Sequence, residues 1–213
     1  MGNGMQWSNA LFNNLFFEKI KSLDTQLFLI INGNHNAVFD EIMYRVSDTI
    51  FWFPFYVLIA FFLIKQYGRY SAIIFVGVIV LIILSDQVSS HLIKNAVQRL
   101  RPSHEPSLHG LIHLNRAGVG GTYGFVSSHA ANASVLTSFL FFTLSNKLNW
   151  LKGVLLFWVI LVSYSRIYNG VHYPGDVLGG IVIGFSLGCF IAYFTKKFYG
   201  NNKENEAQRS KSK

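Results

Sequence analysis

Long apolar runs alternate with short polar breaks along this chain, and the runs carry too few charges for the core of a water-soluble domain. Helix-length apolar stretches fall at about 49–65, interrupted by Pro54, and at 71–94, 128–145, 151–166 and 176–195. They predict an all-α, polytopic membrane bundle of about five transmembrane helices. Several have apolar cores below the roughly 20 residues that a hydrocarbon layer of about 30 Å requires, so their polar ends must complete the span. The run from Ser71 to Leu84 continues as Ser85-Asp86-Gln87-Val88-Ser89-Ser90-His91 before it reaches Lys94. Polar turns at that depth must face protein or a water-filled cleft rather than lipid.

Ahead of the bundle, Leu11, Phe12, Leu15, Phe16, Ile20 and Leu23 recur at helical spacing with Asn13, Asn14, Glu18 and Lys21 between them. This is the pattern of an amphipathic helix, either lying in the membrane interface or packed on the bundle. Leu27 to Ile31 forms a second apolar patch, too short to span, that ends at the turn signal Asn32-Gly33-Asn34. The expected organisation is one domain over 1–199, with an interfacial segment at 1–48 and the bundle at 49–199. A disordered basic cytoplasmic tail is expected at 200–213.

Composition sharpens this picture. Of 213 residues, 51% are hydrophobic and only 13% charged, against about 25% charged in a typical soluble domain. The net charge of +8 sits in short connections and the tail without any nucleic-acid-binding motif, so an anionic substrate and membrane topology account for it. No protein partner is readable. The lone Cys189 excludes an intrachain disulfide. Lys65, Arg69, Lys147, Lys152, Lys196 and Lys197 fall on one side of a five-span bundle, which the positive-inside rule makes cytoplasmic. Loops 95–127 and 167–175 then face the other way.

Three clusters carry chemistry. In Lys94-Asn95-Ala96-Val97-Gln98-Arg99-Leu100-Arg101-Pro102, a helix would set Lys94 and Arg101 on one face, with Arg99 pointing elsewhere. Alone, the stretch also fits a snorkelling basic helix end. In Gly124-Phe125-Val126-Ser127-Ser128-His129, Ser127 can cap the next helix, leaving the amides of Ser128 and His129 at a positive dipole end where an anion binds. A plain N-cap beside a chance histidine is the simpler alternative. In Ser165-Arg166 through His172-Tyr173-Pro174-Gly175-Asp176, the Pro-Gly turn can fold Asp176 back onto one imidazole nitrogen of His172, freeing the other to attack. A helix cap by Asp176 with a loop-packed His172 is the competing role. Three cations, a helix dipole and two histidines together fit a phosphate ester or anhydride.

These motifs resemble the type 2 phosphatidic acid phosphatase superfamily of membrane lipid phosphatases, whose site is similar to that of vanadium-dependent haloperoxidases. The family patterns are Lys-x6-Arg-Pro, Pro-Ser-Gly-His and Ser-Arg-x5-His-x3-Asp. The first and third match in full at 94–102 and 165–176, and the second departs at Val126 and Ser128. The resemblance implies that His172 attacks phosphorus, held by Asp176, while His129 protonates the leaving group. Lys94, Arg101, Ser127, Ser128 and Arg166 would hold the phosphate oxygens. It implies no cofactor and no metal, and the loop histidines His104, His109 and His113 lack metal-ligand spacing. The expected substrate is a lipid phosphate or diphosphate, undecaprenyl diphosphate or a lipid A phosphate foremost, at the outer face of a bacterial inner membrane. Phosphatidylglycerol phosphate and phosphatidic acid are the alternatives. An anion transporter is the reading from a different class, but it gives no reason for the His172 and Asp176 spacing.

Overall fold

The computed structural model describes the backbone of residues 3–211 and the side chains of 15–198, so the expected apolar positions Leu11 and Phe12 and the tail side chains lie outside the described residues. The architecture is all-helical. Helix α1 (Asn3–Gly33) ends at the expected turn, and Asn36 caps α2 (Ala37–Ser47) by accepting from Val38 N at 3.1 Å and Phe39 N at 3.0 Å. Pro54, read as an interruption, instead stands in the first turn of α3 (Phe53–Tyr67), where its missing N–H leaves no helical bond unmade. Gly68, at φ +55°, closes α3 and turns the chain into α4 (Ser71–Asp86). A π-helical segment, Gln87–Ile93, joins α4 to the short α5 (Lys94–Val97).

The expected helix over 94–101 is not what forms. Gln98 takes a left-handed φ of 50°, and Leu100 pairs with Tyr123 as an antiparallel bridge. Arg101 N bonds Thr122 O at 3.0 Å and Gly124 N bonds Arg99 O at 2.8 Å, so two loop strands are tied together at the mouth of the bundle. Pro102 explains the break: it disfavours helical backbone at Arg101, which is extended at ψ 156°.

Helices α6 (Ser128–Thr143), α7 (Asn149–Tyr168) and α8 (Pro174–Lys211) complete the bundle. Helix α6 is central and packs most extensively on α8. The close approach rests on Gly180, Gly184 and Gly188, four residues apart on α8 and facing α6. A Cβ at Gly180 would lie 2.5 Å from Ser127 O and one at Gly188 2.6 Å from Val135 O. The main core gathers Leu63, Leu81, Phe139, Leu140, Leu155 and Trp158, and a second, smaller core packs Phe28 and Tyr173 beneath α1.

Three helical stretches among the described residues are long and apolar enough to cross a membrane: Ile50–Val97, Asn146–Tyr168 and Pro174–Phe198. The first, of 48 residues, is folded at Gly68 and supplies two passes. Helix α6, with 16 residues, is too short to count by length, yet it packs between α4, α7 and α8, which with α3 gives the five-helix bundle. Ile79, Ile83, Phe157, Ile160, Val182 and Phe190 stay exposed on the outside, as lipid-facing positions of an integral membrane protein do.

Candidate active site

The π segment and α5 carry Lys94 to the N-terminus of α6. Lys94 Nζ donates to Ser128 Oγ at 2.8 Å, and Ser90 Oγ lies 2.9 Å from the same hydroxyl while donating to Asp86 Oδ1 at 3.0 Å. One residue earlier, Ser127 caps α6 by accepting from Ala130 N at 3.5 Å, and its own N–H donates to Asp176 O at 2.9 Å. Arg101 is buried, and its Nε donates to Tyr123 O at 3.1 Å. Arg166, near the end of α7, is buried too; one Nη donates to Ser47 Oγ, and its Nε is among the buried groups without a hydrogen-bond partner. No carboxylate among the described residues forms an ion pair with Lys94, Arg101 or Arg166.

Lys94, Arg101, Ser128, His129, Arg166 and His172 all line one cavity of about 730 Å³. Ser127 and Asp176 stand behind this wall rather than in it. Away from the cations the cavity becomes apolar, with Trp52, Tyr56, Leu63, Phe75, Leu140 and Trp158 as its walls.

His172 is 1% exposed, and its Nδ1, 3.5 Å from Asp176 Oδ2, makes no hydrogen bond among the described residues. Burial first, and then the charges of Arg166, Arg101 and Lys94, hold its imidazole well below the ordinary histidine range. The neutral ring is thereby favoured, and a proton on Nδ1, the nitrogen toward Asp176, would leave the lone pair on Nε2. Asp176 is wholly buried: Oδ2 accepts from Tyr173 N at 3.0 Å, and Oδ1 accepts from Arg99 Nη1 at 2.9 Å.

Arg99 therefore does not point away from the site. Its guanidinium bridges Asp176 and Asp24, with Nη2 2.7 Å from Asp24 Oδ2, and lies 4.1 Å over the Tyr173 ring. Asp24 in turn accepts from Gly175 N at 2.7 Å. The helical register assumed over 94–101 hid this, because the left-handed turn at Gln98 re-aims everything after it. No local signal marks Asp24, whose partner is 75 residues away in sequence.

The family model described as PAP2 superfamily matches residues 73–199, which contain every cavity-lining cation and both histidines. The chain belongs to the PAP2 superfamily. It is 35% identical over 179 residues to a lipid A 4'-phosphatase of Bacteroides thetaiotaomicron, covering 83% of this chain and 78% of the relative. An undecaprenyl-diphosphatase of Sulfolobus acidocaldarius is 29% identical, over 76% of this chain and 73% of the relative. The crystal structure of a PAP2-type phosphatidylglycerolphosphate phosphatase from Bacillus subtilis superposes with a TM-score of 0.63 at 22% identity, covering 84% of this chain and 87% of that one. At that identity the likeness establishes the PAP2 fold.

Proposed function

We propose that the chain removes phosphate from a lipid on the outer side of the inner membrane, with lipid A phosphate as the leading substrate and His172 as nucleophile. That it is a phosphatase follows from its family; the substrate and the residue roles are our reading. One observation carries that reading. A single cavity has Lys94, the buried Arg101 and Arg166, none of them in an ion pair with a carboxylate among the described residues, and two histidines at one end, and walls of Trp52, Tyr56, Leu63 and Trp158 at the other. A phosphate on an apolar chain complements both halves, since its charge offsets the cost of burying those cations.

In the proposed reaction, Nε2 of His172 forms a bond to phosphorus as the bond from phosphorus to the lipid oxygen breaks. His129 gives that oxygen a proton. Water, deprotonated by His129, then breaks the phosphorus–nitrogen bond and releases inorganic phosphate. Lys94, Arg101, Arg166 and Ser128 hold the oxygens, while Ser127 fixes the start of α6 and Asp176 orients His172. Lipid A phosphate leads because the relative of that name is 35% identical along 83% of this chain. Undecaprenyl diphosphate is second, on the 29% identity of the relative so named.

The test is phosphate release by purified protein in detergent from lipid A, undecaprenyl diphosphate, phosphatidylglycerol phosphate and phosphatidic acid, in EDTA. Turnover of lipid A phosphate at least about tenfold faster than of the others supports the assignment, and preference for another lipid replaces it. Vanadate, which adopts the five-coordinate shape of the transition state, is expected to inhibit.

A further inference from the structure

The loop histidine His113 is not solvated on its own. Its Nε2 lies 3.0 Å from both carboxylate oxygens of Asp40, and its ring stacks on His35 with centroids 3.6 Å apart and planes within 3°. The three residues come from the turn between α1 and α2, the first turn of α2, and the long loop before α6. None of them lines the phosphate cavity.

The geometry points to a divalent transition-metal site, best suited to Zn²⁺, formed by His35, Asp40 and His113. One donor atom from each lies within 4.8 Å of the other two. A tetrahedral zinc with bonds of about 2.0–2.1 Å needs its donors roughly 3.3 Å apart and the ion near the plane of each ring, so the exposed His35 must turn out of its stack on His113 to complete the set. Two imidazoles with one carboxylate suit zinc and its neighbours in the transition series, whereas calcium and magnesium sites are built from oxygen donors. Three protein donors leave a fourth position for water.

The donors are also held from behind, as metal ligands are. Asp40 Oδ1 accepts from Tyr168 Oη at 2.9 Å. Asn32, fully buried, accepts from His113 N at 2.8 Å and donates to both His113 O and Tyr168 O at 2.8 Å. Asn115 ties the Asp40 carbonyl, at 3.2 Å, to Asn169 Oδ1, at 2.7 Å. A bound ion would thus pin the outer loop to the end of α7, two residues beyond Arg166. Its role is to staple, and it takes no part in phosphate transfer.

The full chain, without a polyhistidine tag, is incubated with zinc chloride at micromolar concentration, passed through gel filtration and assayed for zinc by elemental analysis. Thermal unfolding is followed in parallel with and without added zinc. About one zinc per chain and a higher Tm are expected. Zinc affinity should fall at least about tenfold in His35→Ala, whose exposed side chain can be removed without disturbing the fold, and in Asp40→Asn. His172→Ala should keep the metal. Failure to retain zinc, or equal retention by wild type, His35→Ala and Asp40→Asn, would leave only a hydrogen-bonded His–Asp pair and overturn the site. Neither readout depends on phosphatase activity, so this result and the proposed reaction fail separately.

Discussion

Asp176 receives one guanidinium nitrogen and one backbone amide while its Oδ2 faces His172, so every side of the carboxylate is fixed before substrate arrives. Removing the proposed nucleophile by His172→Ala should lower turnover by at least about a thousandfold while lipid binding persists, because the cationic wall remains. Residual activity well above that level would indicate another nucleophile. Arg99 holds Asp176 from behind, and we propose that it is a positioning residue for that carboxylate. Arg99→Ala should lower kcat by roughly 10–100-fold with little change in KM, and Arg99→Lys should recover only part of it, since an ammonium lacks the fork that spans Asp24 and Asp176. A KM effect with unchanged kcat would count against this role. Protonation gives a third check. His172 is held below its unfolded value near 6.5, so the folded chain refuses a proton that the unfolded chain accepts. Stability from this residue is present above that pH and is lost as pH falls below it. The drop in Tm between pH 7.5 and 5.5 should therefore be smaller in His172→Gln than in wild type, and an equal drop would place the acid sensitivity elsewhere.

At the scale of elements, the apolar runs made the helices legible, and Asn32-Gly33-Asn34 and the serine before α6 marked their ends. The π segment and the left-handed Gln98 were not legible, because each depends on what the loop after it pairs with, here Tyr123 and Gly124. The same limit hid the second half of the Arg99 network and the Asp40 partner of His113, which is 73 residues away in sequence. The contact between α6 and α8 is the element-scale feature most open to test. A side chain at Gly184 would overlap the Ala131 carbonyl, with backbone on both sides and no flexible group to yield. Gly184→Val is expected to destabilise by about 1–3 kcal/mol or more, and to displace the start of α6 that carries Ser128 and His129. Gly153, exposed on α7 with nothing within 4 Å of its would-be Cβ, should accept alanine with a slight gain in Tm. Gel filtration and thermal unfolding of the two variants in one detergent make the comparison, and equal stability would mean that the helix spacing is softer than the glycine stripe implies.

For the whole molecule, orientation decides which lipids can be substrates. The cations of the bundle divide by position: Lys94, Arg101 and Arg166 line the cavity, whereas Lys65 in the last turn of α3, Lys147 between α6 and α7, and Lys152 in the first turn of α7 stand at the opposite end. Charge on such helix ends biases insertion, and by the positive-inside rule we propose that this end lies in the cytoplasm, with the loops 95–127 and 167–175 and the cavity mouth facing outward. Ser107 and Lys147 are exposed on the two sides and serve as reporters. With Cys189 replaced by alanine, Ser107→Cys should react with an impermeant maleimide on intact spheroplasts, and Lys147→Cys only after the membrane is opened. Replacement of Lys147 removes one cation from the proposed cytoplasmic side, so a control with an added lysine at Asn146 keeps the charge count unchanged. The reverse labelling pattern would turn the cavity toward the cytoplasm, where a lipid must be dephosphorylated before export rather than after it, and would replace lipid A phosphate with a substrate made on the inner leaflet.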